Sequence, residues 1–320
     1  MTVSQDYRPP TGEYRSFSQY KAIEYSAYFG TEFEGVDLTQ LTDQQIEDLK
    51  VILAERGVVF FRGQDNLVEE KHIELGGRLG EHHVHPSWKG PRGPIFVAET
   101  RQSWANHWHS DVSFDQETPV KYSILKMEQL PPAGGDTAWA SAELAYYKLS
   151  PSLRAYLSTL TAEHDSALTF GANSSNPHTG NDFKEEFGKD KPRFPRAIHP
   201  VIRTHPITGR QAIFVNRGFT TRIVELTKSE SETLLNFLYN LIDRGQEFSV
   251  RFRWSLNAVA IWDNTQTQHK AIGDFLPNDR KGFRVSTKSE KPFFDGERKA
   301  AYPALYETEG WQRVLDINPY

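Results

Sequence analysis

Cysteine is absent from the 320-residue chain, which excludes disulfide bonds, thiolate metal ligands and a cysteine nucleophile. A secreted disulfide-bonded scaffold is excluded as well, and a reducing compartment is compatible with this composition. No apolar run approaches the ~20 residues that a membrane span needs, and the polar N-terminus lacks the apolar segment of a signal peptide. Strongly basic stretches are missing and the net charge is −5, so nucleic acid is not an expected partner. The sequence therefore predicts a cytoplasmic protein that acts away from membranes and nucleic acids.

Residues 1–16 are polar and are interpreted as a flexible N-terminal arm, and residues 17–320 as a single domain. Aromatic residues make up 12% of the chain, and many lie in short alternating runs, which favours β structure. The apolar run Val58–Phe61 is interpreted as a buried strand. In residues 248–254 apolar and polar residues alternate, which predicts a half-buried strand. Further strands are predicted at 258–262 and 283–287.

Helices are predicted where apolar residues recur at helical spacing. The helix predicted at 42–57 begins with Thr42 and Gln45, spaced as a capping box, and ends at Gly57. A second capping box, Thr227 with Glu230, opens a helix that continues to residue 242. Further helices are predicted at 68–79, 142–149 and 152–160. This order of elements favours a mainly β protein, with a double-sheet core and helices packed outside it.

Between residues 168 and 196 the periodicity disappears and turn-forming residues dominate. A segment of this length without regular structure inside a compact domain is usually a lid or a binding loop. We therefore interpret 168–196 as a lid-like insertion. Four histidines are interpreted as loop residues with a structural or solvated role: His164, His178, His199 and His205.

Two candidate metal ligands lie close together in residues 108–114. If this segment is a strand, the side chains of His109 and Asp111 point to the same face, because side chains repeat every two residues. A third histidine from a distant strand would complete a two-histidine, one-carboxylate triad, which suits non-haem iron(II). His269 follows a predicted strand and turn and is the best candidate. From position alone, a loop histidine bonded to a backbone carbonyl is an equally good interpretation, and most isolated His-x-Asp patterns are surface pairs or caps.

Two arginines, Arg280 and Arg284, follow this third candidate in the sequence. A guanidinium forms a two-pronged pair with a carboxylate and keeps its charge. An arginine here is therefore suited to hold the far carboxylate of 2-oxoglutarate while the other end of that molecule chelates iron. The alternative interpretation is two solvated arginines beside a turn at 277–279.

Taken together, these residues resemble the taurine dioxygenase family of iron(II)- and 2-oxoglutarate-dependent dioxygenases. The similarity runs in the same order from about residue 33 to residue 294. It implies a jelly-roll fold (a double-stranded β-helix, cupin-like) with the iron inside one end. The matching segments are WHSDVSF (108–114), GGDTAWAS (134–141), FVNRGFTTRIV (214–224) and AIWDNTQTQHKAIGDFLPNDRKGFRV (260–285).

The resemblance also implies a role for each matching residue. The Fe(II) ligands would be His109, Asp111 and His269. The distal carboxylate of 2-oxoglutarate would be bound by Thr137 and Arg280. The acidic group of the substrate would be bound by His85, the backbone amide of Val112 and Arg284. Trp88 would also belong to the substrate-binding residues. From the residues alone, Thr137 is equally an ordinary strand threonine and Trp88 a core aromatic.

Segments on the substrate side depart from the family pattern. Trp88 stands where taurine dioxygenase has a tyrosine, Ala105 where it has an asparagine, and Arg217 where it has an acidic residue. The metal and cosubstrate segments are intact. The resemblance therefore implies the oxygenase chemistry, while an extra cation and a flatter aromatic wall would suit a small acid other than taurine.

The predicted function is oxidation of a C–H bond in a small sulfonate, sulfate ester, carboxylate or amino acid. Oxygen and 2-oxoglutarate would be consumed, and succinate and CO2 released. An alternative is a natural-product tailoring oxygenase that cyclises or desaturates an amino-acid-derived intermediate. A non-catalytic jelly-roll binding protein and a zinc hydrolase are alternatives of a different class. A homo-oligomer, dimer or tetramer, is expected by analogy with the family.

Overall fold

The computed structural model describes residues 15–84, 95–100, 107–171 and 194–297. Within these residues most of the regular structure is strand, as the alternating aromatic pattern predicts. The helices are α1 (Asp43–Arg56), α2 (Glu69–Leu79), α3 (Ala142–Tyr147), α4 (Pro151–Leu157), α5 (Ala167–Phe170) and α6 (Lys228–Arg244). The strands are β1 (Lys21–Glu24), β2 (Thr31–Glu34), β3 (Val58–Phe61), β4 (His82–His83), β5 (Ile95–Thr100), β6 (Val120–Gln129), β7 (Thr137–Ser141), β8 (Thr161–Asp165), β9 (Arg196–Pro200), β10 (Ile202–Thr204), β11 (Gln211–Ile213), β12 (Thr220–Ile223), β13 (Ser249–Phe252), β14 (Val259–Asp263), β15 (Thr267–Ala271) and β16 (Arg280–Lys288).

Two sheets pack face to face around the core. The main sheet has the order β1-β2-β3-β14-β6-β16-β4, with β5 also paired to β16, and the second sheet has the order β13-β7-β15. Phe60 of β3 stacks on Phe252 of β13 with ring centroids 4.1 Å apart, and meets Trp139 of β7 edge-on. These contacts join the two sheets into one sandwich. Smaller sheets, β12-β8-β9 and β10-β11, complete the strand pairing.

Strand β3 is apolar at every position because both of its faces are buried. Val58 and Phe60 belong to the core cluster shared with the second sheet. Val59 and Phe61 point the other way, into the cluster that includes Leu49 of α1. The continuous apolar run that predicts a buried strand therefore reflects one sheet packed against a second sheet and against helices.

Both predicted capping boxes are present. The Thr42 hydroxyl accepts from the Gln45 N–H at 3.2 Å, and the Gln45 side chain accepts from the Thr42 N–H at 2.9 Å. At the start of α6, the Glu230 carboxylate accepts from both the N–H and the hydroxyl of Thr227. Gly57 ends α1 with a φ of +73°. The helices predicted at 42–57 and from residue 227 are confirmed.

Several other boundaries differ from the prediction because tertiary contacts outweigh local pattern. The strand predicted at 248–254 shortens to β13, since Phe248 belongs to a 3-10 turn and Trp254 lies beyond the strand. The helices predicted at 142–149 and 152–160 correspond to α3 and α4, which end earlier. In the insertion predicted at 168–196, Phe170 completes α5 and Arg196 begins β9, and residues 172–193 lie outside the described residues.

The prediction of loop positions is wrong for two histidines. His164 lies in β8 and His199 in β9, and both are buried. Their rings pack on Phe214. Hydrogen bonds compensate for their burial, since His164 Nδ1 contacts the Ser113 hydroxyl at 3.0 Å and His199 Nε2 donates to the Asp115 carbonyl at 2.9 Å. His205 follows β10 in a turn, as predicted, but it too is buried. His178 lies outside the described residues.

The predicted arm, 1–16, overlaps the described residues only at its end. The Ser16 hydroxyl donates to Asp48 of α1 at 2.6 Å, and the neighbouring Phe17 is buried. Packed structure therefore reaches back at least to these positions, and residues 1–14 lie outside the described residues. In the described part of the chain, the helices are too short or too polar to cross a membrane.

Gly57→Ala is expected to lower the free energy of unfolding by about 2–4 kcal/mol. The positive φ strains any residue with a Cβ, and this Cβ would lie 2.2 Å from a ring carbon of Phe29. Gly35→Ala is the matched control, because its φ is +79° but no atom lies within 4 Å of an added Cβ. It should lose only the strain, about 1–2 kcal/mol. Urea unfolding measures both losses, and equal values would contradict the packing argument.

Candidate metal centre

Two backbone hydrogen bonds bring distant histidines side by side. The His109 N–H donates to the His269 carbonyl at 3.1 Å, and the His269 N–H donates to the His109 carbonyl at 2.9 Å. Strand β15 carries His269, and its register is fixed by β7, which pairs Trp139 with His269. The centroids of the two imidazole rings are consequently 4.2 Å apart.

Asp111 reaches the same site from a turn. Residues 111–114 form this turn, and Val112 within it has a φ of +52°. The prediction that a strand aligns His109 with Asp111 is therefore wrong in its geometry. The chain leaves the sheet here because the Asp111 N–H donates to the Asn264 side chain at 3.0 Å rather than to a strand. The two side chains still converge, with His109 Nε2 3.8 Å from Asp111 Oδ1.

Among the described residues, His109, Asp111 and His269 form a group able to hold a metal ion. Their ligand atoms lie within 4.8 Å of one another. His269 Nε2 is 3.7 Å from Asp111 Oδ1, the same oxygen that faces His109. Two imidazole nitrogens and one carboxylate oxygen make up the predicted donor set.

Burial disfavours the charged form of all three groups, but charge pairing keeps the carboxylate ionised. Burial would raise the pKa of Asp111, yet the Arg284 guanidinium and the two histidines outweigh it and hold this pKa well below its usual range. Burial lowers the pKa of His109, and burial together with His109 lowers the pKa of His269. At neutral pH the site presents one carboxylate and two neutral imidazoles, the states that metal binding requires.

Hydrogen bonds to the outer atoms orient two of these ligands. His109 Nδ1 donates to the His107 carbonyl at 2.7 Å, so its Nε2 keeps the lone pair. Asp111 Oδ2 accepts from the Ser123 hydroxyl at 2.8 Å, while Oδ1 faces the two histidines. The residues present therefore fit a divalent metal ion.

A second group, predicted for 2-oxoglutarate, lies where β16 begins beside β7. Arg280 is 4% exposed and donates to the Gly135 carbonyl at 2.8 Å and to the Thr137 hydroxyl at 3.0 Å. The Trp254 indole N–H also donates to Thr137 at 3.0 Å. Burial lowers the pKa of Arg280 to about 10, so the side chain remains a cation at neutral pH. Gly135 has a positive φ, and a Cβ there would lie 3.2 Å from Arg280 Cδ, which accounts for the glycine.

Arg284, further along β16, contacts the triad itself. Its Nη1 donates to Asp111 Oδ1 at 2.9 Å, and the side chain is 12% exposed. The two arginines predicted from the sequence therefore have different surroundings. Arg280 lies with Thr137, whereas Arg284 lies with a candidate metal ligand.

Comparison with known proteins identifies the family. Residues 19–286 match the sequence profile of the family described as taurine catabolism dioxygenase TauD, TfdA family. The chain belongs to the TauD/TfdA family. An alpha-ketoglutarate-dependent sulfonate dioxygenase from Saccharomyces cerevisiae is 33% identical over 296 residues, which cover 87% of this chain and 69% of the relative. An alpha-ketoglutarate-dependent sulfate ester dioxygenase from Pseudomonas putida is 33% identical over 271 residues, which cover 82% and 87% respectively.

The solved structure of a taurine dioxygenase from Burkholderia xenovorans superposes on this TauD/TfdA family member with a TM-score of 0.72. The sequences are 31% identical, and the match covers 89% of this chain and 97% of the other. The predicted jelly-roll fold and the predicted enzyme class, a 2-oxoglutarate-dependent dioxygenase with a small-molecule substrate, are confirmed. The family assignment contradicts the alternatives of a non-catalytic binding protein and a zinc hydrolase.

Three residues on the predicted substrate side, His85, Trp88 and Ala105, lie outside the described residues, so their roles stay predictions. Arg217 is described, and its guanidinium contacts α6. It lies 4.8 Å from the ring centroid of Tyr239 and 3.7 Å from the Asp243 carboxylate. In this TauD/TfdA protein Arg217 therefore packs against α6. The sequence had suggested Arg217 as an extra cation for the substrate and did not predict this contact.

Sequence reasoning missed three polar residues around the triad: His83, Ser123 and Asn264. His83 is buried beside Ser286 of β16, and burial lowers its pKa to about 4 despite the nearby Asp115 and Asp111 carboxylates. Asn264 lies within a segment that matches the family, just after a predicted strand. Only this position could have pointed to a role at the site. His83 belongs to the cluster of His82, His83 and His85, which the sequence alone predicts to be a solvated pair and one buried member. Ser123 lies in a strand without a motif of its own, so nothing in the sequence singles it out.

A small apolar cluster beside the triad holds both ends of the predicted insertion. Phe170 and Phe194 pack with Val112, Phe114 and Phe219. The Phe219 ring lies edge-on to His109, with centroids 6.1 Å apart. The segment predicted as lid-like therefore begins and ends next to the candidate metal ligands.

Gly218→Ala is expected to weaken metal binding by about tenfold or more. A Cβ at Gly218 would lie 2.9 Å from His109 Cβ, so the histidine must shift. The control is Arg217→Ala, the adjacent residue, whose side chain contacts α6. Equilibrium dialysis against Co(II) measures the dissociation constants, and an unchanged constant for Gly218→Ala would contradict the close-approach argument.

Proposed function

We propose that this protein is an Fe(II)- and 2-oxoglutarate-dependent dioxygenase that oxidises a C–H bond of a small sulfonate or sulfate ester. The observation that carries the proposal is the buried triad with the Arg284 guanidinium directly beside it. The proposed binding groups are His109, Asp111 and His269 for Fe(II), Thr137 and Arg280 for 2-oxoglutarate, and Arg284, the Val112 amide, His85 and Trp88 for the substrate.

Fe(II) is the metal that suits this donor set best. Two neutral imidazoles and a carboxylate would provide three ligands, a donor set typical of non-haem iron(II) sites that keep positions open for other ligands. The chain has no cysteine and therefore no thiolate, the donor typical of structural zinc. When bound, the metal and 2-oxoglutarate supply the oxidising chemistry: the 2-oxo acid is decarboxylated to succinate and CO2 as the substrate C–H bond is oxidised by O2.

The surroundings of Arg280 support its role as the anchor for 2-oxoglutarate. The buried guanidinium donates to two neutral acceptors, the Gly135 carbonyl and the Thr137 hydroxyl. A guanidinium forms two-pronged, charge-assisted hydrogen bonds with a carboxylate, and its planar shape orients that carboxylate. The distal carboxylate of 2-oxoglutarate would therefore lie beside Arg280 and Thr137.

Two features support a substrate anion near Arg284. Its guanidinium is fixed against Asp111, so an acid bound to it would be held next to the metal ligands. The adjoining turn contains Val112 at positive φ, an unfavourable conformation for a β-branched residue. Such strain tends to persist at functional sites, which supports the proposed use of the Val112 amide. The sulfonate and sulfate ester relatives suggest which acids to test.

The test is succinate release from 2-oxoglutarate with Fe(II) and ascorbate, across small sulfonates, sulfate esters, amino acids and aryloxy acids. We expect a sulfonate or sulfate ester to stimulate release above the uncoupled background, and His109→Ala to abolish both. Stimulation by an amino acid alone would replace the proposed substrate class by the tailoring alternative. No release with any compound, or release that persists in His109→Ala, would contradict the proposal.

Arg284→Ala is expected to reduce kcat/KM for the stimulating acid by about 100-fold or more, because a charge-assisted contact to its anionic group is lost. Lys288→Ala is the control, since it also removes a cation from β16. The Lys288 side chain pairs with Glu81 at the surface. Steady-state rates with varied acid give both values. An unchanged kcat/KM in Arg284→Ala would refute its role as substrate anchor.

Arg280→Ala is expected to raise KM for 2-oxoglutarate by about 100-fold, because the proposed clamp on the distal carboxylate is removed. Arg251→Ala is matched to it as a control. Arg251 lies on β13 nearby, is 54% exposed and pairs with Asp136 and Asp274 instead. Succinate formation with varied 2-oxoglutarate measures both, and a similar KM in the two variants would argue against Arg280 as the anchor.

We also propose that the protein is cytoplasmic and forms a homo-oligomer, a dimer or tetramer. The absence of cysteine supports the first proposal and analogy with the family supports the second. Light scattering coupled to size-exclusion chromatography gives the oligomeric state directly.

A further inference from the structure

We propose that Asn264 is a positioning residue that fixes the orientation of the Asp111 ligand and thereby sets the affinity and geometry of the metal site. This inference rests on the proposed metal centre. Asn264 follows the end of β14 and is 1% exposed. It contacts Asp111 in two ways, one direct and one through Ser123.

The direct contact holds the backbone of the ligand turn. Asn264 Oδ1 accepts from the Asp111 N–H at 3.0 Å and from the Trp262 indole N–H at 3.2 Å. Asn264 Nδ2 donates to the Lys121 carbonyl and to the Ser123 hydroxyl, both at 3.2 Å. Two acceptances and two donations use the full capacity of the amide.

This network permits only one orientation of the amide. Both partners of Oδ1 are N–H donors, and one partner of Nδ2 is a carbonyl, which can only accept. A flipped amide would place a donor against two donors and an acceptor against an acceptor. The amide of Asn264 is therefore fixed, and so is the direction in which it donates to Ser123.

The indirect contact acts on the ligand carboxylate. The Ser123 hydroxyl has one hydrogen, and it donates this hydrogen to Asp111 Oδ2 at 2.8 Å because an ionised carboxylate can only accept. It accepts from Asn264 Nδ2 and, at 3.2 Å, from the Ser286 hydroxyl. With Oδ2 held in this way, Oδ1 remains directed at His109 and His269. Asn264 thus controls both the backbone and the carboxylate of one ligand.

The residue before Asn264, Asp263, forms a buried pair with His205 that holds the turn in place. Asp263 Oδ2 accepts from His205 Nε2 at 3.0 Å, and its Oδ1 accepts from the N–H and the hydroxyl of Thr265. The proton of His205 lies on Nε2, because Nδ1 accepts from the N–H groups of Ile207 and Thr208. The turn that carries Asn264 therefore has a rigid base, as a positioning residue requires.

The decisive variant is Asn264→Asp. The aspartate has the shape of asparagine and keeps the oxygen that accepts from the Asp111 N–H. Its second oxygen, in place of Nδ2, would face the Lys121 carbonyl and would compete with Asp111 for the hydrogen of the Ser123 hydroxyl. The bond from Ser123 to Asp111 Oδ2 should be lost. We expect the dissociation constant for Co(II) to rise about 10- to 100-fold, and the visible d–d absorption of the Co(II) protein to change.

Gln64→Glu is the matched control for the cost of burying a carboxylate in place of an amide. Gln64 is 3% exposed, and its side chain accepts from the Leu38 N–H and donates to the carbonyls of Val36 and Arg62. Gln64 follows β3, whose end pairs with the start of β14. Asn264 follows the end of β14, so the two amides lie at opposite ends of this strand. Thermal unfolding of the metal-free proteins compares their stabilities. Gln64→Glu should be destabilised without a change in Co(II) affinity or spectrum.

Ser123→Ala provides a second variant that does not depend on a new buried charge. It should weaken Co(II) binding, and Asn264→Asp should add less in that background than alone, because the same bond is already missing. If Asn264→Asp does not fold, weaker Co(II) binding by Ser123→Ala supports the inference and unchanged binding overturns it.

The outcomes separate this inference from the proposed function. A folded Asn264→Asp protein with the parent's Co(II) affinity and spectrum overturns the positioning role, while the metal centre stands. Equal losses of affinity in Asn264→Asp and Gln64→Glu also overturn it, since general destabilisation would then suffice. A parent protein that binds no Co(II) overturns both the metal centre and the role of Asn264.

Discussion

The reciprocal backbone hydrogen bonds between His109 and His269 are the constraint on which the site depends. They place two imidazoles side by side only in one register of β15 against its neighbour β7, because a slip of one residue would turn the side chains to the opposite face. That register is stabilised by the core, where Trp139 packs on Trp262 and Phe60. Packing between the two sheets thus determines the distance between the proposed metal ligands.

Charge is distributed through this core so that each buried ion near the site has a hydrogen-bonding partner. Asp111 lies between Arg284 and the Ser123 hydroxyl, while Arg280 is held by Thr137. Burial strengthens the interactions of these fixed charges, which favours the proposed binding of an anionic cosubstrate and substrate. The same burial keeps the histidines neutral and available as ligands.

Local signals in the sequence predicted local structure well. The capping boxes at Thr42 and Thr227 specify helix starts whatever surrounds them, because their hydrogen bonds join residues three apart. The His-x-Asp pattern was less informative. Period-two reasoning placed His109 and Asp111 on one strand, whereas the contact of Asp111 with Asn264 turns the chain out of the sheet. Burial of His164 and His199 in strands likewise depends on residues distant in sequence, the Ser113 hydroxyl and the Asp115 carbonyl, which form hydrogen bonds with their rings.

The sequence by itself determined the family, the donor types available and the positions of several helices and strands, because these depend on residue identity and short-range spacing. It offered eleven histidines as possible ligands. Only the tertiary structure decided that His269 meets Asp111, that Arg284 donates to the Asp111 carboxylate, and that Asn264 accepts from the Asp111 N–H. These pairings join residues far apart in the chain, and the strand register that brings them together is set by packing of the whole core.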